Sequence, residues 1–501
     1  MNLITVAWLV LALQEPNFDH PVFVSISDTP WTLDALGQRV EKQYQIPARR
    51  FLSSLAVFIP KAAGKAQPYK SARGTVFTPD GRFVANYIHV PPQVSPEVFM
   101  KRWIATATAL GDSSKVTVTN SGTRYVALGP QNEVVGAAYL AKDVFWSGAE
   151  FNPAKRFPKV PRMVLGKEGL ALSFDINAAV KTPTGRSLVR GVERSLNNAQ
   201  QRRDQEDVGH YHARHLVSEI GREALKAVPL SSTLGGRLTL PQDSDIDARL
   251  LVELTKRRSK GSRTACRLRR WCDDGKALAS AHCLVRVPPK SLRLLSSDEL
   301  GAGEDAVEKI RNLVLALSKT RGFVDVAAKV EERGRALVAC FAIGTGGQGD
   351  DATKVIRQQL SAEVSADSDW IEANIDGYHV LAKCRSDYAW FAVAKDRKVA
   401  EEKLRETLKK IPASENVPVP TMSASLDCAE TRLLDAEFSE SLIPSLTAPD
   451  RKAVAFSKLA GKLSLVGEDT KWRVTGSASD ELIKLATVTA FRRLTASGST
   501  P

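Results

Sequence analysis

Three of the seven histidines of the chain lie within six residues of one another, in the segment GHYHARHLVSE. If this segment is helical, His212 and His215 share one face and Glu219 follows one turn later. Two imidazoles and a carboxylate are ligands that zinc and similar divalent ions accept, so the segment is a candidate site for a metal-dependent hydrolase. The residues that would form the apolar stripe of the same helix are Ala213, Leu216, Val217, Ile220 and Ala224. Because the histidines flank that stripe, the competing interpretation is a solvated helix face, and the sequence favours it.

A second pattern that could carry chemistry is GxGxxG, formed by Gly344, Gly346 and Gly349 between an apparent strand and an apparent helix. In dinucleotide-binding folds such glycines let the backbone approach a pyrophosphate at a helix N-terminus. Here Asp350 and Asp351 follow at once, and their charge would repel a phosphate. The strands after the helix have hairpin spacing and not the spacing of a βαβ unit. We therefore reject a cofactor site, predict a strand-to-helix connection and expect no cofactor.

A third candidate is a run of cations that contains no acid and holds more than half of the formal net charge of +14. Its members are Lys256, Arg257, Arg258, Lys260, Arg263, Arg267, Arg269 and Arg270. Such a cluster raises the local potential and would attract phosphates or an anionic surface, and the adjacent Trp271 could stack on a base. The run indicates a binder of polyanions, nucleic acid or anionic surfaces. The alternative is a solvated helix that links two halves of the chain.

The six cysteines indicate no site by their spacing. All of them lie beyond residue 265, and the sequence contains no CxxC. The nearest approach to a metal-binding pattern is Cys266, Cys272 and the adjacent pair His282 and Cys283, whose spacings match no zinc module. The sequence therefore predicts neither a disulfide scaffold nor a structural zinc ion.

The sequence patterns of the strands and helices that would position these residues occur twice along the chain. GRFVANYIHV, which starts at Gly81, is answered 253 residues later by GRALVACFAI, and Tyr125 and Tyr378 have the same separation. The strand LALSFDI matches MSASLDC at a separation of 252 residues. The loop of the first copy that corresponds to the glycine pattern, residues 90–96, contains no glycine. Each copy has hairpin-spaced strands between fewer helices, which predicts an α+β fold: a tandem duplication of a mostly antiparallel sheet covered by helices.

The repeats predict the domain organisation. We expect repeat 1 over residues 17–273, with an extra helical segment at about 195–228, and repeat 2 over residues 280–497. The apolar run Leu3–Leu13 has the length of a signal-peptide core, so residues 1–16 are a candidate signal peptide and we expect a periplasmic or secreted protein. A buried N-terminal element in a cytoplasmic protein is the alternative.

Several segments within residues 160–270 resemble uncharacterised duplicated α+β proteins of planctomycete-type bacteria. They are LALSFDI, NNAQQRRDQED, GGRLTL and DARLLVEL. The resemblance implies export and architecture, and it assigns no catalytic residue.

A hydrophobic content of 43% and a charged content of 25% exclude a disordered, collagen-like or multi-span membrane protein. Copies that performed one reaction would be expected to share its reactive residues. The two copies instead share apolar patterning and no common set of reactive side chains. The sequence therefore favours a non-enzymatic exported binding or scaffold protein of unknown ligand. Its partner would be an anionic surface, a polyanion or another protein.

Overall fold

Alternating polar and apolar residues form antiparallel strands along most of the chain, and the α+β fold class predicted from that alternation is confirmed. The computed structural model divides into unit 1, residues 1–186, 232–254 and 483–501, and unit 2, residues 187–231 and 255–482. The candidate signal peptide 1–16 lies outside the described residues, and the repeat boundaries stay a prediction. The described residues are 21–26, 33–48, 73–79, 83–107, 112–147, 157–161, 170–227, 231–239, 248–256, 262–273, 277–289, 291, 306–333, 336–347, 349–361, 363–364, 370–428, 447–469 and 471–496.

Unit 1 is built around one sheet. Its strands are β1 (Val22–Ile26), β2 (Arg73–Phe77), β3 (Phe83–His89), β4 (Thr117–Ser121), β5 (Arg124–Leu128), β6 (Val134–Ala141), β7 (Val144–Ser147), β8 (Leu170–Asp175), β9 (Ser231–Thr239) and β10 (Ala248–Lys256). Its helices are α1 (Leu33–Tyr44), α2 (Pro96–Ala107) and α3 (Ile176–Lys181), and α4 (Pro183–Asn198) runs on into unit 2. Across the sheet the strands follow the order β10-β9-β8-β1-β2-β3-β7-β6-β5-β4, and the pairs from β9 to β4 are antiparallel.

Unit 2 also has one large sheet. Its strands are β11 (Ser262–Cys266), β12 (Ala279–Arg286), β13 (Phe323–Arg333), β14 (Ala336–Gly344), β15 (Glu363–Val364), β16 (Ile371–Ile375), β17 (Tyr378–Arg385), β18 (Tyr388–Ala394), β19 (Glu415–Val419), β20 (Thr421–Asp427), β21 (Ala460–Gly467) and β22 (Lys471–Ala478). Its helices are α5 (Val208–Ala227), α6 (Leu268–Cys272), α7 (Ala306–Arg321), α8 (Gly349–Leu360), α9 (Arg397–Lys409) and α10 (Ala448–Ala453), and α11 (Asp480–Ala496) begins in this unit. The order across the sheet is β22-β21-β20-β12-β13-β14-β18-β17-β16-β15, all antiparallel, and β11 pairs separately with β19.

The two sheets follow the same strand order, although the duplication itself stays a prediction. The residue separation of 253 does not hold along their whole length. Tyr125 lies on β5 and Tyr378 on β17, which occupy different places in the two orders. Hydrogen bonding instead matches Asp143 to Asp387, because their carbonyls accept from the amides of Val90 and Thr345 respectively. Similar short turn sequences occur at several hairpins. The alignment of Tyr125 with Tyr378 therefore pairs strands that are one place apart in the two sheets.

Two apolar clusters lie on opposite faces of the central strands of unit 2. Successive residues of a strand point to opposite faces, so Trp390 belongs to one cluster and Phe391 to the other. Trp390 packs edge-on against Trp271 of α6, with ring centroids 5.4 Å apart, and α9 covers the same face. Phe391 stacks on Phe341 under α7 and α8. The central strands of unit 2 are therefore buried on both faces, and any polar side chain on them needs a specific partner.

Candidate metal centre

Cys266, His282 and Asp325 converge from three strands of unit 2. Cys266 is the last residue of β11, and the other two lie on the neighbouring strands β12 and β13. In the β12–β13 register, His282 is opposite Ala327 and Leu284 is opposite Asp325. Residues two apart on a strand share a face, so His282 and Asp325 point to the same side of the sheet. That side is the apolar cluster that contains Trp271 and Leu284.

The three polar atoms form a nearly equilateral triangle. The Sγ atom of Cys266 is 3.5 Å from Nε2 of His282 and 3.7 Å from Oδ1 of Asp325. Nε2 of His282 is 3.6 Å from the same carboxylate oxygen. A nitrogen-to-oxygen hydrogen bond spans about 2.7–3.2 Å, so the imidazole and the carboxylate are near each other without being hydrogen-bonded.

The group is sealed from solvent. The side chains of His282 and Asp325 are 0% exposed, and Cys266 is also 0% exposed. Nδ1 of His282 is buried and has no hydrogen-bond partner. Nε2 is hydrogen-bonded to the Cys266 thiol at 3.5 Å, so the burial of the imidazole is compensated at one ring nitrogen and not at the other.

Tyr388 fixes the carboxylate from its far side. Its hydroxyl donates to Oδ2 of Asp325 at 2.9 Å, and the backbone N–H of Arg267 donates to the phenol oxygen at 3.2 Å. Oδ1 of Asp325 is thereby turned towards Cys266 and His282. Lys329, two residues from Ala327 on the same face of β13, is 1% exposed and places Nζ 4.7 Å from the centroid of the Trp271 ring. Two other elements therefore contact the polar side chains on this face of β13: Tyr388 of β18 holds the Asp325 carboxylate, and Trp271 of α6 contacts the Lys329 ammonium.

The histidine-rich segment is helical, and His210 faces water as the sequence predicted, but His212 and His215 do not. His212, His215 and Glu219 are all buried, at 4, 9 and 5% exposure, whereas Val217 is 68% exposed. The cause is that α5 packs against α7 through Ala213, Leu216 and Ile220 of the predicted stripe, and the buried face extends from these residues to His212, His215 and Glu219 and leaves Val217 exposed. Among the described side chains that could bind metal, these three are not brought together as a group. The carboxylate of Glu219 accepts instead from Gln200 and from Arg222.

The cationic run is not one helix. Arg263 lies on β11, whereas Arg269 and Arg270 lie on the short helix α6. Arg257, Arg258 and Lys260 lie outside the described residues, as does the side chain of Lys256. Arg267 donates to the carbonyl of Pro412 at 2.8 Å, and Arg270 pairs with Glu415 at 3.0 Å. Trp271 is buried in the apolar cluster, so it is not placed to stack on a base.

The glycine pattern connects a strand to a helix, as the sequence predicted. Gly344 ends β14, Gly346 and Gly347 have φ angles of +68° and +84°, and Gly349 begins α8. Only glycine adopts such positive φ angles without strain, and this accounts for the glycines in the turn. The neighbours of β14 are antiparallel to it, so the connection is not the βαβ crossover of a dinucleotide-binding fold.

Within the described ranges, no helix has the length and hydropathy needed to cross a membrane. Comparisons with family models, curated proteins and solved structures gave no match to this chain.

Proposed function

We propose that the protein is a non-enzymatic binding protein. In this proposal two copies of one sheet-and-helix unit form the scaffold, and an apolar pocket of unit 2 receives an apolar side chain of a partner protein. The proposal combines three observations: the repetition of the sheet, the divergence of its polar residues and the lining of the pocket.

The pocket is the observation that carries the proposal. It has a volume of about 160 Å³. Its lining residues are Ile310, Phe341, Leu360, Ile375, Asp376, Tyr378, Val380 and Val393. An apolar cavity of about 150 Å³ is large enough for benzene, so one aromatic or branched aliphatic side chain fits. Asp376 is the one charged residue among those that line it. The lining therefore lacks the set of convergent polar groups that an active site needs.

The rim of the pocket favours a protein as the source of that side chain. Ile310 and Tyr378 are 38 and 41% exposed, although both are large apolar side chains. The ammonium of Lys395 lies 5.8 Å from the centroid of the Tyr378 ring. Together with Asp376, Lys395 gives the apolar centre a charged border, which is the usual arrangement of protein–protein interfaces.

The repeated strand order supports a scaffold over a shared reaction. Ser25 on β1 pairs with Gly74 and Ala171, on the strands to either side. His282 holds the corresponding place in unit 2, where it pairs with Ala327 on β13 and Ser423 on β20. The same sheet position thus carries a hydroxyl in one unit and an imidazole in the other. This is what we expect of copies that kept a shape and did not keep a common set of reactive groups.

The two alternative functions receive less support from the geometry. Among the four cations of the run whose side chains the structure describes, Arg267 and Arg270 are paired within unit 2, which leaves fewer of these four to bind a polyanion. A metal-dependent hydrolase at His212 and His215 would need Glu219 as a ligand, and that carboxylate is paired with Arg222. Export stays a prediction from the sequence.

The test is binding of indole to the full chain, measured by ligand-observed NMR. Ile310→Trp places a larger side chain at the rim of the pocket, and Leu463→Trp makes the same kind of change at a site on β21 that is 51% exposed. We expect wild type and Leu463→Trp to bind indole equally, and Ile310→Trp to bind at least about tenfold more weakly, a difference of about 1.4 kcal/mol. Equal affinity of all three proteins, or no binding by any of them, would overturn the proposal.

A further inference from the structure

We infer that Cys266, His282 and Asp325 bind one zinc ion in the core of unit 2. Their donor atoms are a thiol sulfur, an imidazole nitrogen and a carboxylate oxygen, which are the three kinds of atom that bind zinc in proteins. The inference does not depend on the pocket or on its partner.

The distances fit one face of a tetrahedron. Zinc bonds are about 2.3 Å to sulfur and about 2.0–2.2 Å to nitrogen or oxygen, and tetrahedral angles then separate the donor atoms by about 3.4–3.6 Å. The separations observed between the three side chains are 3.5, 3.6 and 3.7 Å. The side chains can therefore hold an ion by moving a few tenths of an ångström. Protein atoms would then fill three of the four coordination positions of a tetrahedral zinc ion.

The chemical types of the three donor atoms favour some metal ions over others. Magnesium and calcium prefer oxygen ligands in six-coordinate or larger sites, so a site with one sulfur and one nitrogen is unsuited to them. Zinc accepts sulfur, nitrogen and oxygen together in tetrahedral geometry. The thiolate of Cys266 and the carboxylate of Asp325 would also balance the two charges of the ion, which matters in an apolar core.

The burial of His282 is the second, independent observation. Its side chain is 0% exposed, and its Nδ1 atom has no hydrogen-bond partner. Its Nε2 atom makes a thiol–imidazole hydrogen bond of 3.5 Å with Cys266 and lies 3.6 Å from the Asp325 oxygen, which is too far for an ordinary N–H···O bond. A buried polar group without good hydrogen bonds destabilises a protein. A bond from Nε2 to zinc would offset part of that cost.

Tyr388 completes the arrangement as a positioning residue. Metal-binding carboxylates are commonly held by a hydrogen bond to the oxygen that does not bind the metal. The Tyr388 hydroxyl donates to Oδ2 of Asp325, and the backbone N–H of Arg267 donates to the phenol in turn. Oδ1 is therefore kept in place for the ion.

The ion would be out of reach of a substrate, and we expect one such site per chain. All three ligands are fully buried, whereas a catalytic zinc ion needs a position that a substrate can reach. Ser25 holds the place of His282 in unit 1, so the described part of unit 1 has no imidazole at that place. We expect the ion to stabilise unit 2 and to take no part in a reaction.

The experiment measures zinc in the purified full chain, after incubation with zinc chloride and removal of free metal by gel filtration. The variants are Cys266→Ser and Asp325→Asn. Cys340→Ser is the matched control, because Cys340 is a buried thiol of the same apolar cluster outside the group. We expect one retained zinc per chain in wild type and control and no retained zinc in the two ligand variants, since even the loss of a supporting residue weakens metal affinity about 10–100-fold.

Substitution of cobalt(II) into the wild-type chain gives a readout that does not depend on whether the variants fold. A thiolate ligand produces a sulfur-to-cobalt charge-transfer band in the near ultraviolet, and tetrahedral geometry produces intense visible bands. Both bands in wild type and in Cys340→Ser would support the site. The inference fails if wild type retains no zinc, if cobalt shows no charge-transfer band, or if Cys266→Ser retains as much zinc as the control. Any of the three results would leave a metal-free cluster of thiol, imidazole and carboxylate.

Discussion

Replacement of Tyr388 by phenylalanine should destabilise unit 2, because it removes one oxygen atom that takes part in two hydrogen bonds, one buried and one partly buried. The hydroxyl donates to the Asp325 carboxylate at 2.9 Å and accepts from the Arg267 N–H at 3.2 Å. Tyr388 is only 2% exposed, so water cannot readily replace either bond. The phenylalanine ring keeps the contact with Trp390, whose ring centroid is 5.8 Å away, so packing is conserved.

The magnitude follows from those two bonds. A hydrogen bond to a charged group contributes about 1.5–3 kcal/mol, and a buried N–H left without a partner costs about 1–3 kcal/mol. Part of each loss is recovered when neighbouring groups relax, so we expect Tyr388→Phe to lower the free energy of unfolding by about 2–4 kcal/mol. If Asp325 binds zinc, the variant should also weaken zinc affinity by about 10–100-fold.

The assay is urea denaturation followed by tryptophan fluorescence, since Trp271 and Trp390 lie in the affected cluster. The control is Tyr378→Phe, in which the ring is 41% exposed. A change of less than about 0.5 kcal/mol is typical of exposed positions and is expected there. Equal urea midpoints for the two variants would refute the reasoning, because the buried hydroxyl of Tyr388 would then contribute no more than an exposed one.

Two further predictions concern titratable side chains of unit 2. The hydrogen bond from Arg214 lowers the pKa of Glu206 from 4.5 to about 2. Because the folded-state pKa lies below the unfolded value, the pair stabilises the protein above about pH 4.5 and this contribution is lost as the pH falls towards 2. Arg214→Ala should therefore reduce the pH dependence of the urea midpoint in that window, whereas Lys226→Ala, at an exposed ion pair, should leave it unchanged. Burial raises the pKa of Cys340 to about 12, so iodoacetamide at pH 8 should label this thiol only after unfolding. Rapid labelling of the folded chain, detected by mass spectrometry, would contradict that prediction.

The fold class could be predicted from the sequence because it depends on local patterns. Period-two alternation and hairpin spacing are properties of neighbouring residues, and they indicated antiparallel strands between helices. The alignment of the repeats was less secure. Turns of similar sequence recur at several hairpins, and a match that includes Tyr125 and Tyr378 joins strands at different places in the two sheets. The strand pairing resolves this, since it depends on contacts between distant residues.

The exposure of the histidine segment could not be predicted from its own sequence. A helix buries the face that its neighbours cover, and here the neighbour is α7, almost a hundred residues later in the chain. Leu216 is buried as expected, but Val217 is exposed and His212 is buried. Apolar periodicity places a stripe within about one residue position, and that is too coarse to decide which of two adjacent side chains faces solvent.

The candidate zinc site was missed because spacing rules search for ligands that are close in sequence. Cys266 and His282 were noted together and set aside, and the third ligand comes from β13, more than forty residues further on. A different signal was present in the strand FVDVAAKV, where Asp325 and Lys329 share the face that also holds Ala327. Charged residues on the apolar face of a buried strand require a partner, and this indicates a polar site more directly than the distance between cysteines.

The described part of unit 1 has no imidazole at the place that His282 occupies in unit 2, and this difference helps to explain the presence of His282. Ser25 occupies the matching place in a sheet with the same strand order and pairing, and it is also buried, at 2% exposure. The sheet can therefore form without an imidazole at this position. A buried histidine with one unpaired ring nitrogen is less favourable than a small side chain, unless another interaction compensates. In unit 2 a thiol and a carboxylate lie at metal-binding distances from that histidine, and a bound ion is the compensation that the geometry allows.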